Sequence, residues 1–350
     1  MKSRRRVIGA VLILIALPVA LAAVEAVTFF VANRSNGSFV SSGEQRDYLL
    51  HVPKSYDRNR PTPLVISLHG ATMWGAAQKE MSQWNRVADA EGFIVVYPSG
   101  VKGSGPRVWR MGGESGESGG DRDVEFIANL IDTLSAQYNI DPTRIYANGL
   151  SNGGGMSFVL SCTMSDRIAA VGTVGAAQLL PFDWCTDRKP VPMINFHGTA
   201  DPAAAYKGGW SWMVRRRFPD VQRWTANWAR RNHCAPTPVD SAVASDVTRR
   251  TWVRCADNAA VVLYIIKGGG HTWPGGGPMP EWFVGPTSRS IDASSVMWLF
   301  FREHPLRAGA RDHLQRPPLA TVSREGRRAV PLPQARSLSM IPRCTEVARR

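Results

Sequence analysis

Residues 149–153 read G-L-S-N-G and residues 116–120 read G-E-S-G-G. Both fit G-x-S-x-G, a pattern that carries a nucleophilic serine where a strand turns sharply into a helix. A serine hydroxyl attacks a carbonyl only when a histidine takes its proton and a carboxylate fixes that imidazole. On such a turn the three follow in the order serine, acid, histidine. Asp201 in H-G-T-A-D-P and His271 in K-G-G-G-H supply that order after Ser151. As bases, His69, His197 and His233 come too early, and Asp183, Asp187 and Asp257 are less well placed as the acid. The negative oxygen formed in acyl transfer also needs donors. The backbone amide of Asn152 is one, and the turn L-H-G-A-T offers a second from Ala71 or Thr72. His69, inside that turn, is given no chemistry.

These residues need elements to hold them. Apolar β-branched runs at 64–68, 93–97, 144–148, 169–174, 191–196 and 260–266 predict strands, with an earlier one at 47–52. Between them, helices are expected over 78–91, 123–138, 154–162, 221–232 and 294–301. Ile127, Leu130, Ile131, Leu134 and Tyr138 recur at spacings of three and four, the stripe of a helix laid on a sheet. Short buried strands alternating with helices predict an α/β fold with a mostly parallel sheet covered on both faces. In such sheets, sites gather beyond the carboxyl ends of the strands. The Gly149 copy follows a predicted strand and opens a helix, so Ser151 is the candidate nucleophile. The Gly116 copy follows no strand and reads as a polar loop.

The 350 residues, 44% hydrophobic, can build one large core. The net charge of +14 sits at the ends: four cations precede Val7, and the chain from Leu306 carries a net +7, which leaves the body at about +3. That excludes a groove built to neutralise phosphates, so no nucleic-acid partner is expected. Val7–Val24 is an uncharged apolar run after a basic start, with small residues at Ala22, Ala23 and Ala26. Residues 1–26 are thus expected to act as a signal peptide or as an N-terminal membrane anchor, with the protein secreted or periplasmic. Residues 37–305 form the expected catalytic domain, and 306–350 a basic, Pro/Arg-rich disordered tail.

Outside the cytosol cysteines tend to pair. Cys162 with Cys185 and Cys234 with Cys255 are neighbours in sequence, although four cysteines allow three connectivities; Cys344 is left over in the tail. No metal-ligand spacing and no phosphate loop is present, so no cofactor is expected. Trp74, Trp109, Trp210, Trp212, Trp273 and Trp282 fall on loops at the carboxyl ends of predicted strands. Some are expected to wall an apolar cleft, Trp273 foremost because it lies two residues past His271, and Trp74 after it.

The segments P-L-V-I-S-L-H-G, G-L-S-N-G-G-G-M, H-G-T-A-D-P and G-G-G-H-T-W-P-G-G together resemble the secreted polyhydroxybutyrate depolymerase and feruloyl esterase group of α/β-hydrolases, over roughly residues 40–302. The resemblance implies an α/β-hydrolase fold in a single domain acting on an ester substrate, small or polymeric. It implies Ser151, Asp201 and His271 as nucleophile, acid and base, an oxyanion hole at Ala71 and Asn152, and both disulfides. A monomer is expected. Ala71 departs from the pattern, since many relatives carry cysteine there. The first reading is a polyhydroxybutyrate depolymerase-like esterase acting on hydroxyalkanoate oligomers or polyester; the alternatives are a feruloyl or acetyl esterase acting on plant polysaccharide esters, or an acyltransferase or peptidase on the same scaffold, because an acyl-enzyme can meet a nucleophile other than water.

Overall fold

The computed structural model describes residues 35–101, 107–111, 120–177, 185, 189–211 and 215–307. The amino-terminal apolar run, the G-E-S-G-G copy with its Ser118, Asp183, Asp187, Trp212 and the tail with Cys344 lie outside the described residues. Ten strands make one sheet: β1 (Gly37–Ser41), β2 (Glu44–His51), β3 (Thr62–Leu68), β4 (Ile94–Pro98), β5 (Ile140–Leu150), β6 (Ala170–Val174), β7 (Met193–Gly198), β10 (Val239–Ala244), β11 (Val247–Trp252) and β12 (Val261–Ile266). Two short strands, β8 (Gly209–Ser211) and β9 (Arg216–Phe218), pair separately. The order in the large sheet is β1-β2-β4-β3-β5-β6-β7-β12-β11-β10. The six strands from β4 to β12 run parallel, and antiparallel pairs close both edges.

The parallel strands read as near-continuous apolar runs because both their faces are buried. Along β3, Leu64, Ile66 and Leu68 point into one core and Val65 into the other. The first core takes Phe126, Ile127, Leu130, Ile131 and Leu134 from α3 (Gly120–Gln137), Phe158 from α4 (Asn152–Thr163), and Trp224 and Trp228 from α5 (Val221–Arg231). The second takes Met81 from α1 (Gly75–Ser82), Trp84, Val87 and Ala88 from α2 (Trp84–Glu91), and Met297, Trp298 and Phe301 from α7 (Ala293–Arg302). A short α6 (Glu281–Val284) precedes α7. Each large apolar side chain buried this way contributes roughly 1.5–3 kcal/mol. Helices therefore cover both faces, as the alternation of strand and helix predicts.

Several elements differ from expectation; besides the short β1, β8, β9 and α6, which the sequence did not mark, two differences bear on the packing. The single helix over 78–91 is two, because Gln83 adopts φ 58 and its amide closes α1 on the Lys79 carbonyl. The break turns Trp84 fully into the core, where its indole N–H donates to Asn148 Oδ1 at 3.1 Å. The β10–β11 hairpin was not foreseen: Val239, Val243 and Val253 around it are exposed, so it lacks the buried alternation that marks a strand. Both disulfides are formed, Cys162–Cys185 and Cys234–Cys255, across 23 and 21 residues of sequence. Each constrains the unfolded chain by roughly 3 kcal/mol. Among the described residues no helix is long and apolar enough to cross a membrane.

Candidate active site

Four parallel strands deliver the chemistry-bearing residues to one edge of the sheet. β3 ends at Leu68 before His69-Gly70-Ala71, β5 at Leu150 before Ser151, β7 at Gly198 before Asp201, and β12 at Ile266 before His271. Ser151 sits between β5 and α4 at φ 51, ψ −116, a costly region for a residue with a side chain. Its amide donates to the Val174 carbonyl at 2.8 Å, and its own carbonyl accepts the Gly155 amide at 2.9 Å. A serine before a helix ordinarily caps the helix with its hydroxyl. Ser151 makes no such cap, so the strained backbone leaves the hydroxyl available for other work.

The glycines of G-L-S-N-G serve close approach. A Cβ on Gly153 would lie 2.2 Å from the Leu68 carbonyl oxygen. That contact draws the start of α4 against the end of β3, beside the His69–Thr72 turn. The Thr72 amide donates to the Arg107 carbonyl at 2.8 Å, which removes it as an oxyanion donor. Among the described residues, the amides of Ala71 and Asn152 have no acceptor. His69 is wholly buried, with Nε2 accepting the Gly100 amide at 2.8 Å and Nδ1 donating to the Gly70 carbonyl at 2.7 Å. Burial pushes its pKa down to about 4. It holds the turn as a neutral imidazole.

Asp201 and His271 meet. Nδ1 of His271 donates to Oδ2 of Asp201 at 2.8 Å, while Oδ1 of Asp201 accepts the amides of Ala203 and Ala204 at 2.8 and 2.7 Å. Both are nearly buried, and their loops are joined by the Ala200 amide on the Gly269 carbonyl at 2.9 Å. Burial alone raises the Asp201 carboxyl; the His271 opposite it, then His197, outweigh burial and hold it below its ordinary value. On the other side, the His271 amide donates to the Val284 carbonyl of α6 at 2.6 Å. The imidazole is thereby fixed at ring and backbone with Nε2 free to take a proton. Such a pair, on the same sheet edge as a strained, uncapped serine, suits acyl transfer.

His197, set aside on chain order, is a residue the sequence reading missed. It is 1% exposed, donates through Nε2 to the Ala204 carbonyl at 2.7 Å, and has the same atom 3.4 Å from Asp201 Oδ2. Burial lowers its pKa and keeps it neutral. Its four-residue spacing from Asp201 across a tight loop was the available signal.

Trp273 requires a correction. It is 1% exposed and donates its indole N–H to Ser294 Oγ at 3.0 Å, inside the second core. Its ring fills the space under the histidine loop instead of walling a cleft. Trp109 is also buried, whereas Trp74, Trp210 and Trp282 are 40%, 60% and 88% exposed. Among the described residues, no group of three or more His, Cys, Asp or Glu side chains is arranged to hold a metal ion.

Residues 46–179 match the family model described as Esterase PHB depolymerase. The matched span includes Ala71, Ser151 and Asn152; Asp201 and His271 follow it. The chain is 31% identical over 246 residues to feruloyl esterase B of Piromyces equi, covering 68% of this chain and 45% of that protein. It is 31% identical over 163 residues to poly(3-hydroxyalkanoate) depolymerase C of Paucimonas lemoignei, covering 46% and 38%. The chain thus spans less than half the length of each of these relatives. Among solved structures, the acetyl xylan esterase from Aspergillus awamori superposes with a TM-score of 0.52 at 18% identity, covering 73% of this chain and 93% of that one. The chain has the α/β-hydrolase fold that the motifs imply.

Proposed function

We propose that this protein is an exported serine esterase that hydrolyses carboxylic esters through an acyl-enzyme, with hydroxyalkanoate oligomers or polyester as the substrate class. Ser151 is the nucleophile, His271 the base and Asp201 the residue that orients it. Nε2 of His271 takes the Ser151 proton as Oγ bonds to the ester carbonyl carbon. The amides of Ala71 and Asn152 donate to the oxygen that becomes negative. The imidazolium then protonates the departing alcohol, and the acyl group stays on Ser151. Water repeats the sequence: His271 removes its proton, oxygen attacks the acyl carbon, and Ser151 leaves with its proton restored. Neutral imidazole is required at both attacks.

The observation that carries this reading is the 2.8 Å His271–Asp201 bond at Gly175, the residue after the Val174 carbonyl that accepts the Ser151 amide. A feruloyl or acetyl esterase is the second reading, favoured by the longer alignment with the Piromyces equi protein. Two disulfides support an oxidising compartment and so export.

The test is a hydrolysis panel over hydroxybutyrate oligomers, ferulate esters and acetate esters, run beside fluorophosphonate labelling. Labelling that is lost in Ser151→Ala together with all turnover is the expected result. Unchanged turnover in that variant overturns the mechanism, and preference for ferulate or acetate replaces the first substrate class with the second. Added alcohol or peptide amine that captures the acyl group in preference to water identifies a transferase.

A further inference from the structure

The two oxyanion donors sit on different elements, Ala71 after β3 and Asn152 at the start of α4, so something must keep them in register. Residues 107–110 touch both. The Arg107 carbonyl accepts the Thr72 amide at 2.8 Å, one residue from Ala71. The Trp109 indole N–H donates to the His69 carbonyl at 3.0 Å, two residues from Ala71. On the other side, the Trp109 amide donates to Asn152 Oδ1 at 2.7 Å, and Asn152 Nδ2 returns to the Trp109 carbonyl at 3.3 Å. Trp109 is 2% exposed, and its ring lies 5.1 Å from that of His69.

The segment is also anchored. The Arg110 amide donates to Asp123 Oδ2 at 2.7 Å, and its guanidinium to Asp123 Oδ1 at 2.8 Å and to both oxygens of Glu44 at 3.0 and 2.8 Å. Asp123 is wholly buried and also accepts Arg46 at 2.7 Å. Such a paired, hydrogen-bonded carboxylate is costly to separate from its partners, so the end of the segment is fixed to α3 and β2.

We propose that residues 107–110 form a strap that sets the separation of the Ala71 and Asn152 amides, with Trp109 as its positioning residue. This rests on the serine-esterase reading. The chemical reason is that an oxyanion is stabilised only by donors held where its charge develops, and ground-state binding does not depend on them equally. A strap that loosens should therefore cost turnover rather than substrate affinity.

The test uses Trp109→Phe, which keeps a ring and deletes the indole donor, and Asn152→Ala, which keeps the oxyanion amide and deletes the acceptor for the Trp109 amide. Each is expected to lower kcat on an activated ester about tenfold or more, with KM changed less than twofold and fluorophosphonate labelling slowed in proportion. The double variant is expected to lose no more than the worse single one, because one strap is broken twice. Thermal melts establish that each variant is folded; if Trp109→Phe is not, Asn152→Ala carries the same expectation. Wild-type kcat in folded variants, a loss confined to KM, or multiplicative losses in the double variant overturn the strap. Ser151→Ala in the same assay separates the two readings. If it is inactive while Trp109→Phe turns over normally, the strap alone fails; if it is active, both fail.

Discussion

A Cβ on residue 175 would lie 2.9 Å from Nδ1 of His271 and 3.3 Å from Oδ2 of Asp201. Gly175 also has φ +55, where side chains are strained. Gly175→Ala is thus expected to push the imidazole from its bond with Asp201 and to lower kcat/KM about tenfold or more. Steady-state kinetics on a short ester checks it. Wild-type kinetics in a folded variant would mean that the imidazole is not seated on this glycine.

Asp201→Asn keeps the size of the side chain and removes its charge. The wrong imidazole tautomer then faces Ser151, and kcat is expected to fall about a thousandfold or more with little change in KM. A loss below tenfold, read from kcat on an activated ester, counts against Asp201 as the orienting acid.

Stability is expected to decline in acid in two stages. His69, His197 and His304 are buried with lowered pKa values, His69 at about 4. Below 6.5 the unfolded chain binds protons that the folded one refuses, so their contribution is full above 6.5 and is lost as pH falls toward their folded values. For His69 alone that is on the order of 3 kcal/mol by about pH 4. Asp201, held below its ordinary value, keeps its contribution above the unfolded carboxylate range and loses it at lower pH still. Urea unfolding at steps from pH 7 to 3.5 measures this, and a flat profile between pH 6.5 and 4.5 contradicts it.

The two tryptophans nearest His271 in sequence should behave oppositely. Trp273→Ala empties a core site and is expected to cost about 3–5 kcal/mol of stability. Trp282 is 88% exposed on α6, with its ring 5.6 Å from that of Phe283. Trp282→Ala is expected to leave the melting temperature unchanged while raising KM for long or aromatic esters more than for acetate. Equal KM changes across the panel would remove Trp282 from substrate contact.

Reduction of the two disulfides is expected to lower the unfolding free energy by roughly 2–4 kcal/mol for each bridge. Thermal melts with and without reductant, and of Cys234→Ala with Cys255→Ala, measure it. Unchanged melting on complete reduction contradicts the assignment of a stabilising role.

Much of the candidate site's placement was legible because it follows from strand ends. Ser151, Asp201 and His271 each lie within five residues of the end of a strand whose apolar run marks it in the sequence. The glycines around Ser151 signalled close approach, although the sequence could not say that the neighbour would be the backbone of β3. Trp273 was misjudged because proximity in sequence to His271 says nothing of which way a ring turns; the acceptor Ser294 Oγ holds its indole N–H inward. His197 and Trp109 were hidden for a different reason. Their partners are carbonyls, an amide and a carboxylate brought together only by folding, and pattern alone has no access to them.

β12 is the last of the central strands along the chain, and it lies beside β7 in the finished sheet. The proposed base, His271, follows its end, while Ser151 is fixed about 120 residues earlier at the end of β5. A nascent or partly assembled polypeptide therefore holds a hydroxyl with no proton acceptor. On the proposed roles, the hydroxyl and its proton acceptor come together only once β5 and β12 both stand in the sheet.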